Sequence, residues 1–149
     1  MSDEKTAAMR SRETPGGDFS IPSEIDAIGP AVDKVIQLIG RAGCAQPRQT
    51  DVEIAVFEAL ANAVIHGNRQ DAGKRVHILC RVQPGEQLSI VVKDEGPGFD
   101  PVQVPDPTTA ENVESEHGRG ILLMKTFMDE VHFEAGGSEV HMRKRLDAI

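Results

Sequence analysis

The sequence predicts an α+β domain in which amphipathic helices accompany antiparallel strands. Two segments in the first half of the chain carry apolar residues at helical spacing, whereas residues 76–92 and 129–146 alternate apolar and polar side chains. The 149 residues fit one ordinary domain, and 39% hydrophobic with 27% charged residues is a normal balance for a globular chain. We therefore expect one folded unit with one hydrophobic core.

The N-terminal part of the chain predicts a tail followed by a strand and a helix. Residues 1–18 are rich in charge, Ser, Thr and Gly and have no sustained period, which is typical of a flexible tail. Phe19–Pro22 predicts a short strand, and Pro22 favours a sheet edge or a strand end because it cannot donate a ladder hydrogen bond. Ser23 is the expected N-cap of a packing helix whose apolar residues recur from Ile25 to Ile39.

A second helix is predicted from Thr50, its expected cap, to Asn68. Its apolar residues cover one arc, while Glu58, Asn62 and His66 form a polar stripe along the border of that arc. Residues four apart on a helix lie one above the other, so Glu58 and Asn62 are close enough to serve one ligand or ion. For this helix taken alone, the alternative of a solvated helix surface is favoured over a functional site.

Two antiparallel hairpins are predicted for the rest of the sheet. Val76–Val82 and residues 88–92 alternate around a Pro-Gly-Glu turn. Residues 129–135 and 138–146 alternate in the same way around Gly136 and Gly137, which predicts a closing hairpin. His77, His132 and His141 fall between apolar positions, so we expect them on the solvent side of the sheet.

Residues that could bind a ligand follow directly after the first hairpin. Asp94 offers a carboxylate that could accept a hydrogen bond from an exocyclic amine, and Gly96 and Gly98 permit close backbone approach. Residues 100–117 hold several prolines and acids without a period, a pattern that favours a lid. The Gly118–Gly120 turn then opens a helix, whose free N–H groups favour bound phosphate.

Each of these features has an ordinary alternative. An Asp-rich glycine turn often only joins two elements, and this one has too few regularly spaced oxygen ligands for an EF-hand. Gly-x-Gly before a helix is weak evidence alone, and the spacing of a P-loop is missing. The order and combination of these features along the chain favour a ligand-binding site over the ordinary alternatives.

Taken in order, three stretches resemble the N box and the two glycine boxes of the gyrase, heat-shock-chaperone, histidine-kinase and MutL (GHKL) superfamily. They are Glu58–Asn68, Asp94–Phe99 and the Gly118-Arg119-Gly120-Ile-Leu segment. The form of the last segment and the length of the chain resemble the stand-alone anti-sigma-factor serine kinases of bacteria. The resemblance implies that residues 19–149 form a histidine-kinase-like ATP-binding domain of the Bergerat fold. This is a two-layer α/β sandwich whose mixed, mostly antiparallel sheet carries helices on one face.

The resemblance also implies the roles of individual residues. Asn62 corresponds to the Mg²⁺ ligand and Asp94 to the acceptor of the adenine amino group, while Glu58, one turn before Asn62, is placed as the general base. The remaining positions implied to contact ATP are Gly96, Gly98, Phe99, Gly118, Arg119, Gly120 and Ser138, the last supplying a hydroxyl near adenine. His66 and Asn68 are expected to be structural or to support the residues that contact the ligand.

The implied function is transfer of phosphate from ATP to a serine or threonine of a partner protein. Partners implied by the resemblance are a sigma factor and an anti-sigma-antagonist protein, and a homodimer is expected. An alternative is a non-catalytic module in which nucleotide gates a protein-binding surface. Nucleic acid is not an expected direct partner, because a formal charge of -8 opposes phosphate backbones.

Membranes and zinc are also not expected. No apolar run approaches the roughly 18–20 residues that cross a bilayer, and no signal peptide is evident, which predicts a cytoplasmic protein. Cys44 and Cys80 lack zinc-type spacing, and Cys80 is expected to be a buried thiol within a strand. The five histidines show no His-Glu-x-x-His arrangement.

Overall fold

A five-stranded sheet organises the computed structural model, which describes residues 16–41, 49–83, 86–97 and 116–145. The strand order is β1-β2-β3-β5-β4, and all four neighbouring pairs are antiparallel. The strands are β1 (Gly16–Pro22), β2 (Arg75–Gln83), β3 (Gln87–Lys93), β4 (Glu130–Glu134) and β5 (Glu139–Arg145). Both predicted hairpins, β2–β3 and β4–β5, are confirmed.

The edge strand β1 begins earlier than the sequence pattern indicates. It starts at Gly16, not at Phe19, because its backbone pairs with β2 from Gly16 opposite Arg81 to Pro22 opposite Arg75. The last three residues of the predicted tail therefore belong to the sheet, and residues 1–15 lie outside the described residues. Pro22 stands at the end of an edge strand, as predicted.

The helices are α1 (Ile28–Arg41), α2 (Gln49–Ala61) and α3 (Glu116–Phe127). A 3₁₀ turn, Ile25–Ala27, precedes α1, and a π-helical turn, Asn62–Gly67, continues α2. Because α2 begins at Gln49, Thr50 lies inside the helix and is not its cap. Within the described ranges, no helix combines the length and the apolar character that crossing a membrane requires.

The predicted cap at Ser23 is wrong. The 3₁₀ turn starts after Glu24, and no side chain caps it. Ser23 is fully buried, and its Oγ donates a hydrogen bond to the Lys74 carbonyl at 2.7 Å. The Ser23 hydroxyl therefore makes a hydrogen bond to a residue distant in sequence, and not the local capping hydrogen bond that the sequence pattern predicts.

The core lies between one face of the sheet and the helices. Alternate residues of β2 and β3 are buried, and α1, α2 and α3 contribute residues such as Val35, Leu60 and Met124, all essentially inaccessible to solvent. Cys80 is among the buried residues, as predicted, whereas Cys44 lies outside the described residues. On the opposite face His132 is exposed and His77 and His141 are half-buried, which confirms their solvent-side placement. The helices therefore cover one face only.

A buried lysine ties the two layers together. Lys144, on the core face of β5, is 4% exposed. Its Nζ donates a hydrogen bond to the Phe127 carbonyl at the end of α3 (2.6 Å) and lies 3.4 Å from Asp51 Oδ2 in the first turn of α2. The ammonium thus satisfies a carbonyl at a helix C-terminus, where positive charge is favourable.

Candidate functional site

Two adjoining cavities lie where α2 and its π turn face the sheet and α3. The first, about 200 Å³ in volume, is bounded by α2, the π turn, β3, α3 and the β4–β5 hairpin. Its lining residues are Ala59, Asn62, Ala63, His66, Gly67, Arg69, Val92, Asp94, Met124, Phe133, Gly137, Ser138 and Val140. The second, about 370 Å³, is lined by Ile25, Ile28, Phe57, Glu58, Ala61, Asn62, Ile65, His66, Arg119 and Leu123. Asn62 and His66 border both.

The sequence-predicted residues divide between these cavities. Asn62, Asp94 and Ser138 meet in the first, whereas Glu58 and Arg119 border the second. Gly98 and Phe99 lie outside the described residues, as does most of the predicted lid at 100–117, of which only Glu116 and His117 are described, within α3.

Asp94 is fixed at one end of the first cavity by the backbone around it. Its N–H donates to the Ser138 carbonyl at 2.9 Å, and its Oδ1 accepts a hydrogen bond from the Gly96 N–H at 2.9 Å. Burial raises the pKa of Asp94, against the opposing effects of the Gly96 N–H and the charge of Lys74. The result is an oriented, partly desolvated carboxylate that can accept a hydrogen bond from a ligand.

Two glycines make room for this carboxylate. A Cβ at Gly67 would lie 2.3 Å from Asp94 Oδ2, and a Cβ at Gly96 would lie 2.0 Å from the Gly67 carbonyl oxygen. Gly96 was expected to let backbone approach a ligand, and the close approach found here is to Gly67. The sequence pattern gives no separate role to Gly67, which follows His66 within the Glu58–Asn68 stretch.

Asn68 holds the strand ends around the site. Its side chain is buried, donates to Ser23 Oγ (2.8 Å) and to the Arg75 carbonyl (2.9 Å), and accepts from the Glu95 N–H (2.7 Å). The π turn, β1, β2 and the Asp94–Glu95 turn are thereby joined through one amide. This confirms the structural role expected of Asn68.

Glu58 and Asn62 lie together against Gly120 of α3. A Cβ at Gly120 would be 3.1 Å from Glu58 Oε2 and 3.2 Å from both amide atoms of Asn62. Burial raises the pKa of Glu58, and the charge of Arg119 partly offsets this increase. The helical spacing therefore brings the two side chains to one place, as predicted.

The Asn62 amide is the clearest unsatisfied group of the site. Its Nδ2 is buried and has no hydrogen-bond partner in the part of the chain that the structure describes. A buried polar atom without a partner costs about 1–3 kcal/mol, so such groups are retained where a ligand supplies the missing contact. An Asn side chain also carries a hard carbonyl oxygen of the kind that Mg²⁺ prefers.

The glycine pair at 118 and 120 is inside α3, not in a turn before it. The helix begins at Glu116, so the Gly118–Gly120 segment forms part of its first turns. Gly118 and Gly120 are buried and Arg119 is exposed. The missing side chain at Gly120 leaves room for Glu58 and Asn62, which explains why this poor helix former stands inside a helix.

Arg69, which the sequence pattern did not single out, also borders the first cavity. It and Gln70 both adopt left-handed backbone conformations, with φ of 51° and 57°. This costs energy for residues other than glycine, and such conformations cluster at functional sites. No sequence pattern specified this conformation.

Comparisons with known proteins relate the chain to a described family. Residues 21–144 match the family described as the histidine kinase-like ATPase domain. The chain is 35% identical over 106 residues to the anti-sigma F factor of Clostridium novyi, covering 67% of this chain and 73% of that protein. It is 33% identical over 138 residues to the serine-protein kinase RsbW of Bacillus pumilus, covering 87% of this chain and 85% of the relative.

A solved structure supports the fold. The RsbU and RsbW domains of a Mycobacterium tuberculosis protein match with a TM-score of 0.64 at 15% identity, covering 89% of this chain. This chain spans only 32% of that longer protein. The family match and the two relatives show that the chain belongs to the histidine kinase-like ATPase family, and within it to the group of anti-sigma factors and serine-protein kinases.

Proposed function

We propose that this protein binds ATP with Mg²⁺ and transfers the γ-phosphoryl group to a serine or threonine of a partner regulatory protein. The observation that carries the proposal is that Glu58 and Asn62 converge on the space left by Gly120, with Asn62 bordering both cavities. It places a partly buried carboxylate of raised pKa beside an amide that lacks a partner.

ATP would occupy the first cavity with its adenine toward Asp94. The carboxylate would accept a hydrogen bond from the adenine amino group, and the Ser138 hydroxyl lies in the same lining. Val92, Met124 and Val140 supply apolar surface around the ring. A mostly apolar cavity with a few oriented polar groups is typical of small-molecule sites.

The Asn62 amide fits the Mg²⁺ site that the family implies. Its carbonyl oxygen would bind the ion, and its unsatisfied NH₂ could donate to a phosphate oxygen. When bound, Mg²⁺ would offset the negative charge of the phosphates in the transition state. Arg119, exposed at the start of α3, would bring a positive charge to the phosphates; Gly118, Gly120, Gly98 and Phe99 stay predicted contacts.

Glu58 would act as the general base. Its ionised carboxylate accepts the proton of the partner's hydroxyl while the hydroxyl oxygen bonds to the γ-phosphorus. The bond from that phosphorus to the bridging oxygen breaks, and ADP leaves with the electron pair. A base with a raised pKa holds the transferred proton more readily, and such catalysis typically contributes about 10²- to 10⁴-fold.

The second cavity favours a protein as acceptor. Ile25 is 53% exposed and Phe57 48% exposed, and both border this cavity beside Glu58. Exposed large apolar residues next to a reactive carboxylate suit a protein surface that presents a hydroxyl. The name of one relative, anti-sigma F factor, supports a sigma factor as a partner, and the anti-sigma antagonist stays a prediction from the family resemblance. A homodimer stays a prediction.

The same exposed residues also favour a second function. Nucleotide binding could gate a protein-binding surface around Ile25 and Phe57 without any transfer. The two functions differ in one observable, the fate of the γ-phosphate.

Radiolabelled ATP separates them. The protein is incubated with Mg²⁺, [γ-³²P]ATP and candidate antagonist proteins encoded beside it, and each partner is also supplied with its acceptor serine replaced by alanine. Label on the serine-containing partner alone supports the kinase. Tight ATP and partner binding without label would contradict transfer and support the binding module.

A further inference from the structure

We propose a second metal site, for a divalent transition-metal cation of the Zn²⁺ class, on the outer face of the β4–β5 hairpin. Its ligands are His132, Glu134 and His141, defined here as the hairpin triad. Their ligand atoms all lie within 4.8 Å of one another. The triad contributes nothing to the nucleotide site described above.

The strand register assembles the triad. His132 is paired directly with His141 across the two strands, and Glu134 is paired with Glu139. Side chains directly opposite on one face of an antiparallel pair have Cβ atoms about 4.5–5.5 Å apart. The two imidazole rings accordingly stack, with centroids 5.0 Å apart and an interplanar angle of 10°. Both rings turn Nε2 toward Glu134.

The distances suit a shared cation. His132 Nε2 lies 3.2 Å from Glu134 Oε1, and His141 Nε2 lies 3.1 Å from Glu134 Oε2. Ligands about 2.0–2.2 Å from a tetrahedral zinc ion are separated by roughly 3.3–3.6 Å. The two histidine nitrogens lie within 4.8 Å of each other, so a bound ion would draw these partly exposed side chains together by up to about 1.5 Å.

His141 Nε2 also faces more acceptors than it has protons. Glu139 Oε1 lies 3.1 Å from it, as does Glu134 Oε2. One ring nitrogen carries at most one hydrogen, whereas one cation could bind the nitrogen and a carboxylate together. Lys93 Nζ lies 3.9 Å from Glu139 Oε1, so Glu139 is already paired and is not assigned as a primary ligand.

The chemistry of the donors selects the cation. Imidazole nitrogen suits zinc and similar transition metals, whereas Mg²⁺ and Ca²⁺ take oxygen ligands. Two histidines and one carboxylate leave a fourth position for water, a ligand set found in zinc sites. His132 and Glu134 are largely exposed, so a cation can enter from solvent.

The chain offers a matched comparison elsewhere on the sheet. His77 Nε2 lies 3.1 Å from Glu95 Oε2, the same type of His–Glu pair on a half-exposed surface, and the hairpin triad includes neither residue. If the hairpin triad contained only ordinary His–Glu pairs, removing a histidine from the triad and removing His77 would have the same effect on zinc affinity.

Calorimetric titration of the full chain, free of any tag, with ZnCl₂ in nucleotide-free buffer tests the proposal. We expect saturable one-to-one binding. His132→Gln and His141→Gln should each weaken it at least about tenfold, because losing even an outer-shell partner typically costs about 10- to 100-fold in metal affinity. His77→Gln should leave the affinity unchanged.

Circular dichroism and ATP binding show whether each variant is folded, independently of zinc. No saturable binding by the parent chain would overturn the proposal. So would a loss under tenfold in both hairpin variants, or an equal loss in His77→Gln.

Discussion

Gly67 lies directly against the carboxylate of Asp94, with room for no side chain between them. A Cβ added at Gly67 would be 2.3 Å from Asp94 Oδ2 and 2.4 Å from Cγ. The end of the π turn therefore sets the position of the group proposed to bind adenine. Position 67 requires glycine because a side chain would collide with Asp94, and not because of its backbone conformation.

Gly67→Ala should displace Asp94 and weaken ATP binding by at least about tenfold. The expected loss reflects a charge-assisted hydrogen bond, worth about 1.5–3 kcal/mol, that the moved carboxylate can no longer make. Equilibrium titration with a fluorescent ATP analogue, competed with ATP, measures the change.

Gly40→Ala is the matched control for this substitution. Gly40 lies in α1 with nothing within 4 Å of its Cβ position. Alanine there should leave ATP affinity unchanged and raise the free energy of unfolding by up to about 1 kcal/mol, since glycine is a poor helix former. Equal ATP affinity in Gly67→Ala and Gly40→Ala would refute the role given to Gly67.

Glu58→Gln should separate binding from transfer. The amide keeps the size of the side chain beside Gly120 but cannot accept the hydroxyl proton, so we expect near-normal ATP affinity and a loss of about 10²- to 10⁴-fold in phosphate transfer. Single-turnover transfer of labelled phosphate to the partner, with ATP saturating, gives the rate.

Glu53→Gln serves as its control, because Glu53 is on the same helix and lines neither cavity. Its transfer rate should match that of the parent chain. Unchanged transfer in Glu58→Gln would remove Glu58 from the mechanism, whereas a parallel loss of ATP affinity would make it a binding residue.

The parts of the fold that follow a local period could be predicted, and the parts fixed by distant contacts could not. Alternation of single residues predicted β2, β3 and the closing hairpin, and helical spacing brought Glu58 beside Asn62. The start of β1 depends on pairing with β2, more than fifty residues later. Ser23 looked like a helix cap because its partner Asn68 is 45 positions away.

The sequence pattern predicts the wrong start for α3 because of its two glycines. Gly118 and Gly120 are poor helix formers, so their segment predicted a turn. Contact of Gly120 with Glu58 and Asn62 outweighs that preference, and the helix starts at Glu116. The space needed at Gly67 is likewise a tertiary property, since Asp94 comes from another part of the chain.

Asp94→Asn should weaken ATP binding while stabilising the nucleotide-free protein at neutral pH. Burial raises the pKa of Asp94 above 3.8, so the folded chain holds this proton more tightly than the unfolded chain. The protonated carboxyl therefore stabilises the fold fully below the unfolded-state pKa, and this stabilisation is lost as pH rises through the folded-state pKa. Asparagine is neutral at every pH.

Urea unfolding without nucleotide tests this sign. The variant should be more stable than the parent at pH 7, and the difference should shrink as pH falls toward 4. Asp71→Asn, which alters an exposed loop carboxylate that accepts the Gly73 N–H, should show no such gain. A less stable Asp94→Asn at pH 7 would mean that the ionised carboxylate is net favourable in the fold.

Lys144→Met tests whether the buried ammonium supports the fold. Methionine fills similar space but leaves the Phe127 carbonyl without its donor and Asp51 without its nearby charge. We expect the free energy of unfolding to fall by about 1–3 kcal/mol, the cost of an unsatisfied buried polar group. Lys93→Met removes a partly exposed lysine 3.9 Å from Glu139 and should cost about 0–1 kcal/mol. Urea unfolding measures the loss of stability in both variants. Well-packed apolar residues can replace buried charges without loss of stability. Equal losses in the two variants would therefore show that the Lys144 contacts stabilise the fold no more than an ordinary surface ion pair.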